Sequence, residues 1–275
     1  MQTGFKQNLR SLKKKSFLGQ LVVTLLSCEL LFFASFISLS LPTPTRHNLE
    51  RYAHQVSVKL VLSAPEQWRT RIEQNYPVLK EATEEVRFSS YVPLLPIAIT
   101  MAYTLGLPLA LFAPIIYLLL GLIGPRIGLF PFAAGGGFEY FQEPGFPYLF
   151  GIIFGSAFAA WITPDERKSW RQLLASLGGI SITHLIGLTI VFGISIAVLL
   201  FEGESSYLHY QPFLSEQIRN LTWYCLPYDL LFATMLIALS FPVRWLFATL
   251  TAPDIANRHR PSVEAQLEVL TETVA

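Results

Sequence analysis

The amino-acid sequence predicts an all-α membrane protein, a bundle of six transmembrane helices with a glycine-rich re-entrant or capping loop between helices 3 and 4. Three observations predict this class. Charged residues make up 14% of the chain, against about 25% in soluble domains. Hydrophobic residues make up 52%, and the mean hydropathy is +0.44. Several apolar runs approach the roughly 20 residues that a helix needs to cross a bilayer, so the lipid bilayer is the expected surrounding.

The chain begins with a basic segment, 1–15, which contains five Lys or Arg and no acid, and continues as an apolar run over 16–41. A cleaved signal peptide is the alternative, but its apolar region is only about 7–15 residues long, so we favour a retained first helix. The basic flank then places the N-terminus in the cytoplasm. Glu29 lies in the middle of this run. It is expected to face other helices or water, as a buried glutamate bonded to its neighbours rather than as a substrate ligand.

Residues 42–90 differ in composition, with seven Lys or Arg, six Glu and no long apolar run. The four residues from Ser63 to Glu66 have the pattern of a capping box with proline just inside the helix. We therefore predict a soluble, helical, extracytoplasmic insert. It could cap a pocket or only tether the helices around it.

The run 92–123 is interrupted around Gly106 and could form one long helix or two short ones. The next charged connector, 164–171, contains three basic residues, and the positive-inside rule places it in the cytoplasm only if there are two helices. The membrane domain then resumes at 91 and ends at 250, and the tail 251–275 lies inside with the N-terminus. The predicted spans are 16–41, 92–106, 108–123, 147–162, 173–201 and 227–250.

The stretch 124–151 separates two apolar runs and is long, apolar and rich in glycine, proline and aromatic residues. Irregular backbone at membrane depth is tolerated only where protein buries it or where it lines a cavity. This stretch is therefore predicted to be the wall or lid of a small-molecule pocket.

Two polar residues in the predicted spans have both a functional and a structural interpretation. His184 inside a membrane helix is either a site residue or a histidine bonded to a neighbouring helix. Asp229 follows Pro227 in the first turn of the last helix, where the helix dipole stabilises an anion whether or not it binds a ligand.

Motifs for enzyme chemistry are absent from the sequence. It contains no G-x-x-x-x-G-K-[ST] phosphate loop, no HExxH, no Cys/His cluster with zinc spacing and no G-x-S-x-G elbow. We predict no enzyme activity, no metal and no cofactor. The net charge of +1 gives no indication of a nucleic-acid partner.

Four motifs together resemble the BioY family, the biotin-specific S components of energy-coupling-factor transporters. They are Tyr117–Gly121 (YLLLG), Phe132–Gly137 (FAAGGG), Glu143–Gly151 (EPGFPYLFG) and Leu226–Leu230 (LPYDL). The resemblance covers roughly 16–41 and 91–250. It implies a substrate-binding subunit in the plasma (inner) membrane that takes biotin or a related vitamin from the outer face. It also implies a transmembrane coupling subunit and ATPase subunits in separate chains.

The same resemblance implies a pocket. Asp229 would accept the ureido N–H groups and face the glycine loop and Tyr148, the glycines would let backbone approach the ligand, and aromatic rings would cover its apolar ring. The family often has a lysine where Phe232 stands, so either Arg126 or His184 would have to receive a ligand carboxylate, or the ligand differs. The full predicted set is Arg126, Gly135, Gly136, Gly137, Phe138, Glu139, Tyr140, Tyr148, His184, Tyr228 and Asp229.

Small residues four apart, Ala34 with Ser38 or Ala98 with Ala102, are candidates for the surface that meets the coupling subunit. Two other functions remain open. One is a structural or assembly membrane protein with a degenerate pocket. The other is an enzyme acting on lipid, with Glu139 and His184 as its only support.

Overall fold

The computed structural model describes residues 17–80, 85–132, 135–163, 169–240, 242–243 and 246. This part of the chain is mainly helical, with one short pair of strands. The helices are α1 (Phe17–Phe36), α2 (Arg46–Ser63), α3 (Glu66–Asn75), α4 (Leu94–Leu105), α5 (Leu107–Ile123), α6 (Phe146–Ile162), α7 (Ser169–Glu202), α8 (Glu204–Ile218) and α9 (Leu226–Leu239).

Within the part of the chain that the structure describes, four helical segments are long and apolar enough to cross a membrane: Phe17–Phe36, Leu107–Ile127, Trp170–Glu202 and Glu204–Leu239. Two more apolar helices, α4 and α6, are shorter. At 1.5 Å per residue α4 is about 18 Å long and α6 about 26 Å, less than the roughly 30 Å hydrocarbon core. The helical membrane class is confirmed, whereas the count of six crossings stays a prediction.

Gly106 separates α4 from α5. Its φ of 82° lies in the left-handed region that favours glycine, and Pro108 stands in the first turn of α5. The run 92–123 therefore forms two helices, as the charge pattern favoured.

Packing in the bundle depends on small residues where helices meet. α6 lies along α7, and a Cβ on Gly151 would stand 2.6 Å from the carbonyl oxygen of Thr183. A Cβ on Gly155 would overlap the Thr183 hydroxyl and the Gly179 carbonyl. The glycines thus let the two backbones approach closely, as is common in membrane helix pairs. α4 packs against α5, α6, α7 and α9, and α1 packs against α4 and α5.

The insert is helical, but a strand pair that the sequence did not predict connects it to the bundle. β1 (Leu39–Pro42) pairs antiparallel with β2 (Phe88–Tyr91). The side chain of Asn48, at the start of α2, bonds the carbonyl of Thr43 and both the N–H and the carbonyl of Arg87. The two ends of the insert are therefore held together beside the bundle.

Three local expectations were wrong. The Ser63 hydroxyl bonds the Lys59 carbonyl, and Pro65 is the N-cap of α3 without a side-chain cap, so no capping box forms. Glu29 is exposed on α1 instead of buried between helices. Ala98 and Ala102 are buried in the chain's own core, so they offer no surface to a partner. The predicted basic segment 1–15 and tail 251–275 lie outside the described residues.

Candidate functional site

A cavity of about 330 Å³ lies inside the bundle, at the ends of the helices that carry the strand pair and the glycine-rich loop. Most of its lining is apolar or aromatic, with a few hydroxyls, one carboxylate and one imidazole. The lining residues are Ser35, Ser90, Val92, Leu94, Leu95, Tyr117, Phe132, Tyr140, Gly145, Tyr148, Leu149, Ile152, Thr183, His184, Asn220, Leu221, Cys225 and Asp229.

Asp229 is the acidic group of this cavity. It lies in the first turn of α9, as expected, and is only 3% exposed. Its Oδ1 accepts a hydrogen bond from the Tyr91 hydroxyl at 2.7 Å, and its Oδ2 lies 3.0 Å from Nε2 of His184. Each carboxylate oxygen already has one protein partner. These contacts within the chain offset the free-energy cost of removing the carboxylate from water.

His184, on α7, lies beside the same carboxylate. Its Nε2 lies 3.0 Å from Oδ2 of Asp229, and toward an ionised carboxylate this nitrogen donates the hydrogen bond. Its buried Nδ1 has no hydrogen-bond partner among the described residues. A buried polar atom without a partner is uncommon in a folded protein, and it leaves one hydrogen-bonding position open beside the cavity.

Tyr91 is the third member of this cluster and comes from the end of the insert. It is the last residue of β2, its ring stacks on Phe232 at 5.5 Å, and it packs near Tyr228. Burial, and next the negative charge of Asp229, raise the pKa of Tyr91, so the phenol stays protonated and donates. Tyr228 donates to the carbonyl of Pro42, which fixes β1 to α9 as well.

Phe132 anchors the glycine-rich stretch and forms part of the cavity wall. Its ring occupies the space that a Cβ on Gly121 would need, and it contacts the rings of Tyr117 and Tyr140 at 5.3 and 4.6 Å. The carbonyl of the preceding residue, Pro131, accepts hydrogen bonds from Ser35 and Tyr117. The stretch is therefore fixed to both α1 and α5.

The three glycines of this stretch do not line the cavity. Gly135, Gly136 and Gly137 all have φ near +100°, which glycine adopts readily. The N–H of Gly137 donates to the carbonyl of Gly121, and a Cβ on Gly136 would stand 2.5 Å from that same carbonyl oxygen. Gly136 and Gly137 thus serve close packing on α5, and the predicted contact of the glycine loop with Asp229 does not occur in the cavity lining.

Four other predicted residues also lie away from the cavity lining. Arg126 stacks over the ring of Phe138 at 4.7 Å, and both are exposed. Glu139 is exposed beside them. Tyr228 connects α9 to β1 through its hydrogen bond to the Pro42 carbonyl. Arg126 is therefore not placed to receive a ligand carboxylate in the cavity.

The structure brings together Tyr140, Tyr148, His184 and Asp229 from the predicted set. The Tyr148 hydroxyl shares a hydrogen bond of 2.7 Å with Thr222, and its ring lies edge-on to His184 at 5.8 Å. Helices α6, α7 and α9 supply the last three of these residues, and the loop after the glycines supplies Tyr140.

Sequence reasoning missed several contributors. Phe132 begins the glycine-rich motif Phe132–Gly137. A large ring next to several small residues could have indicated that Phe132 packs into the bundle. Tyr91 follows an insert with no recognisable site pattern, and only the unpredicted strand pair brings it to Asp229. Ser35, Asn220 and Cys225 carried no signal, because single polar residues near helix ends are common.

Comparison with known proteins gives one family. A model described as the BioY family matches residues 92–249, which is more than half of the 275-residue chain. Among curated proteins none is significantly similar. The crystal structure of the S-component for biotin from an ECF-type ABC transporter is 18% identical, with a TM-score of 0.39, over 57% of this chain and 75% of that chain. At this TM-score the structural similarity adds nothing to the family match.

Proposed function

The chain belongs to the BioY family, and we propose that it is the substrate-binding membrane subunit of a vitamin transporter, with biotin as its ligand. The family is a family of transporter components, so the chain is not an enzyme. Energised import would rely on a transmembrane coupling subunit and ATPase subunits in separate chains, with the vitamin entering from the outer face of the plasma membrane.

The observation that carries the proposal is the cavity that contains Asp229. Its volume, about 330 Å³, lies at the lower end of the 300–1,000 Å³ typical of small-molecule pockets. Pockets of this kind combine an apolar lining with a few placed polar groups, and here these are Asp229, His184 and hydroxyls. Biotin has the matching chemistry of an apolar bicyclic ring with two ureido N–H donors and one carbonyl acceptor.

The residues of the cavity suggest how this ligand would be held. Tyr140, Tyr148 and Phe132 would cover the ring. Asp229 has further acceptor capacity, since two carboxylate oxygens offer about four lone-pair sites and two are used by Tyr91 and His184. The ureido N–H groups would take the remaining sites, and the ligand's carboxylate would point toward Asn220, which is exposed.

A second candidate is a structural or assembly protein with a degenerate pocket. One observation favours it: the buried carboxylate is already paired inside the chain, as a purely structural Asp229 would be.

Thermal unfolding in detergent with a panel of biotin, thiamine and riboflavin separates the two candidates. A ligand that binds only the folded state stabilises it by RT ln(1 + [L]/Kd), about 2.7 kcal/mol at 100 times Kd. We expect biotin to raise the unfolding temperature and the other two vitamins to leave it unchanged. A shift with another vitamin alone would correct the ligand, and no shift with any of them would favour the structural candidate.

A further inference from the structure

The lining of the cavity includes one carboxylate and no basic side chain, as far as the described residues go. Asp229 is the acid among them, and none of the lining residues is Lys or Arg. The two gaps in the described chain between 17 and 163, at 81–84 and 133–134, contain no Lys or Arg in the sequence either. The partners of the carboxylate are the neutral hydroxyl of Tyr91 and Nε2 of His184.

The imidazole of His184 is neutral in this arrangement. Its other ring nitrogen, Nδ1, is buried and has no hydrogen-bond partner within the described parts of the chain. A proton on Nδ1 would bury a charged N–H group without an acceptor, and this costs more free energy than an unpaired lone pair on a neutral ring. The negative charge of Asp229 is therefore not cancelled by an imidazolium, and the cavity as a whole is negative.

The side chains that could bring a cation close to Asp229 make other contacts. One turn after Asp229, α9 carries Phe232, whose ring stacks on that of Tyr91 at 5.5 Å. The guanidinium of Arg126 lies 4.7 Å from the centre of the Phe138 ring, and both of these side chains are exposed outside the cavity lining. A ligand in the cavity thus meets the charge of Asp229 without a compensating protein cation beside it.

Asn220 marks the open side of the cavity, because it lines the cavity and is also exposed. It belongs to a π-helical segment whose residues Leu221 and Cys225 also line the cavity. Arg219 precedes Asn220, but the helical spacing puts it on the opposite side of this segment together with Trp223, which is 68% exposed. The group at the open side of the cavity is therefore a neutral amide, not the neighbouring guanidinium.

This distribution of charge has a consequence for the far end of the ligand. A ligand held at Asp229 through N–H donors extends its other end toward Asn220. A carboxylate about 10 Å from Asp229 is repelled by the like charge, which weakens binding about two- to fifteenfold for effective dielectric constants from about 80 down to about 20. A carboxamide is not repelled, and the Asn220 side chain has both donors and an acceptor to offer it.

We propose that the substrates of this cavity include amides of biotin, in which the carboxyl group is joined to an amine, and that these bind at least as tightly as free biotin. The inference rests on the proposed function, since Asp229 accepts the ureido N–H groups of both forms. The substituent on the amide lies beyond Asn220 in solvent, so the volume of the cavity does not limit its size.

The test is titration calorimetry of the purified chain with biotin, its primary amide and biotin joined to the side-chain amine of lysine. We expect both amides to bind as tightly as biotin or up to about fifteenfold more tightly. Biotin binding with amides more than about threefold weaker would overturn the inference and leave the proposed function standing. Failure of all three ligands to bind would overturn both.

Two variants then locate the far end of the ligand. Asn220→Arg adds a cation at the open side, so biotin should gain about tenfold or more over its primary amide, as expected for a charge-assisted hydrogen bond. Arg219→Ala is the matched control and should leave the ratio of the two affinities unchanged. The inference is overturned if Arg219→Ala weakens biotin alone, or if Asn220→Arg leaves the ratio unchanged. Both side chains are exposed, so thermal unfolding should match that of the unsubstituted chain.

Discussion

At the scale of single residues, the site depends on how the buried charge of Asp229 is compensated. Tyr91 and His184 each take one of its oxygens. Removing one partner from a buried, hydrogen-bonded charge is expensive, because the other groups lose their bonds without regaining water. The same cluster that would receive a ligand therefore also stabilises the contact between the insert, α7 and α9.

Substitutions at Asp229 separate its roles in binding and folding. Asp229→Asn keeps the shape and one acceptor, so biotin affinity should fall by about tenfold or more, as expected for the loss of a charge-assisted hydrogen bond. Asp229→Ala should abolish tight binding and destabilise the protein by about 3–5 kcal/mol. Titration calorimetry gives the affinity, and thermal unfolding gives the stability.

Tyr91→Phe is the matched control, because Tyr91 bonds the same carboxylate without lining the cavity. It should cost about 1.5–3 kcal/mol of stability, while Oδ1 becomes available to the ligand and biotin binding is not weakened. If both Asp229 variants bind biotin as tightly as the unsubstituted chain, Asp229 is only a structural anion at a helix start.

At the scale of elements, the contact between α6 and α7 positions Tyr148 and His184 relative to each other. Gly151 and Gly155 of α6 lie against Gly179 and Thr183 of α7, one residue before His184. In a bilayer, helices associate through van der Waals packing and interhelical hydrogen bonds, so the distance between the two backbones decides how well they hold together. A change of one methyl group at this contact should therefore move the walls of the cavity.

A pair of glycine-to-alanine variants tests this contact. Gly155→Ala places a Cβ on the Thr183 hydroxyl and the Gly179 carbonyl, so it should destabilise the protein by about 1–3 kcal/mol and weaken ligand binding. Gly193→Ala, in the same α7, meets nothing within 4 Å and should be neutral or slightly stabilising, since alanine is the better helix former. Equal unfolding temperatures for the two variants would show that the close approach of α6 and α7 does not limit stability.

At the scale of the whole molecule, helix lengths and the charge of the connectors determine how the chain is expected to cross the membrane. The break at Gly106 gives two helices, yet α4 and α6 are each shorter than the hydrocarbon core. Six crossings with both termini inside remain the prediction that the basic connector 164–171 favours. Under it, the insert lies outside and the cavity opens toward the same side.

Cysteine labelling in intact cells tests this topology, after Cys28 and Cys225 have been replaced. A cysteine at Ser169, where α7 begins, should react only with reagents that reach the cytoplasm. A cysteine at Glu66, which is exposed in the insert, should react with an impermeant reagent from outside. Labelling of position 169 from outside would mean that 92–123 crosses the membrane once.

Much of the fold could be predicted from the sequence, because hydrophobic length and charge asymmetry are local properties. The apolar runs predicted α5 and α7 to within four residues, while the run 16–41 extended past the end of α1 at Phe36 into β1. The glycine at 106 with the following proline marked a helix break. Short motifs carried the family resemblance, and the family is shown by the match over residues 92–249. His184 and Asp229 could be proposed because polar and ionisable residues in membrane spans are unusual, whereas Tyr140 and Tyr148 were proposed from the family resemblance.

Only the tertiary structure decided which of these residues meet. Tyr91 reaches Asp229 through a strand pair whose two strands are separated by the whole insert, and no local pattern specifies such a pairing. The side of α1 on which Glu29 lies depended on which residues α4 and α5 cover, because an apolar helix without a polar face has no preferred rotation in its own sequence. The glycines at 135–137 looked like a ligand cradle, and in the structure Gly136 and Gly137 approach the backbone of α5 instead. Local chemistry determines which groups are available, and long-range packing determines what each of them contacts.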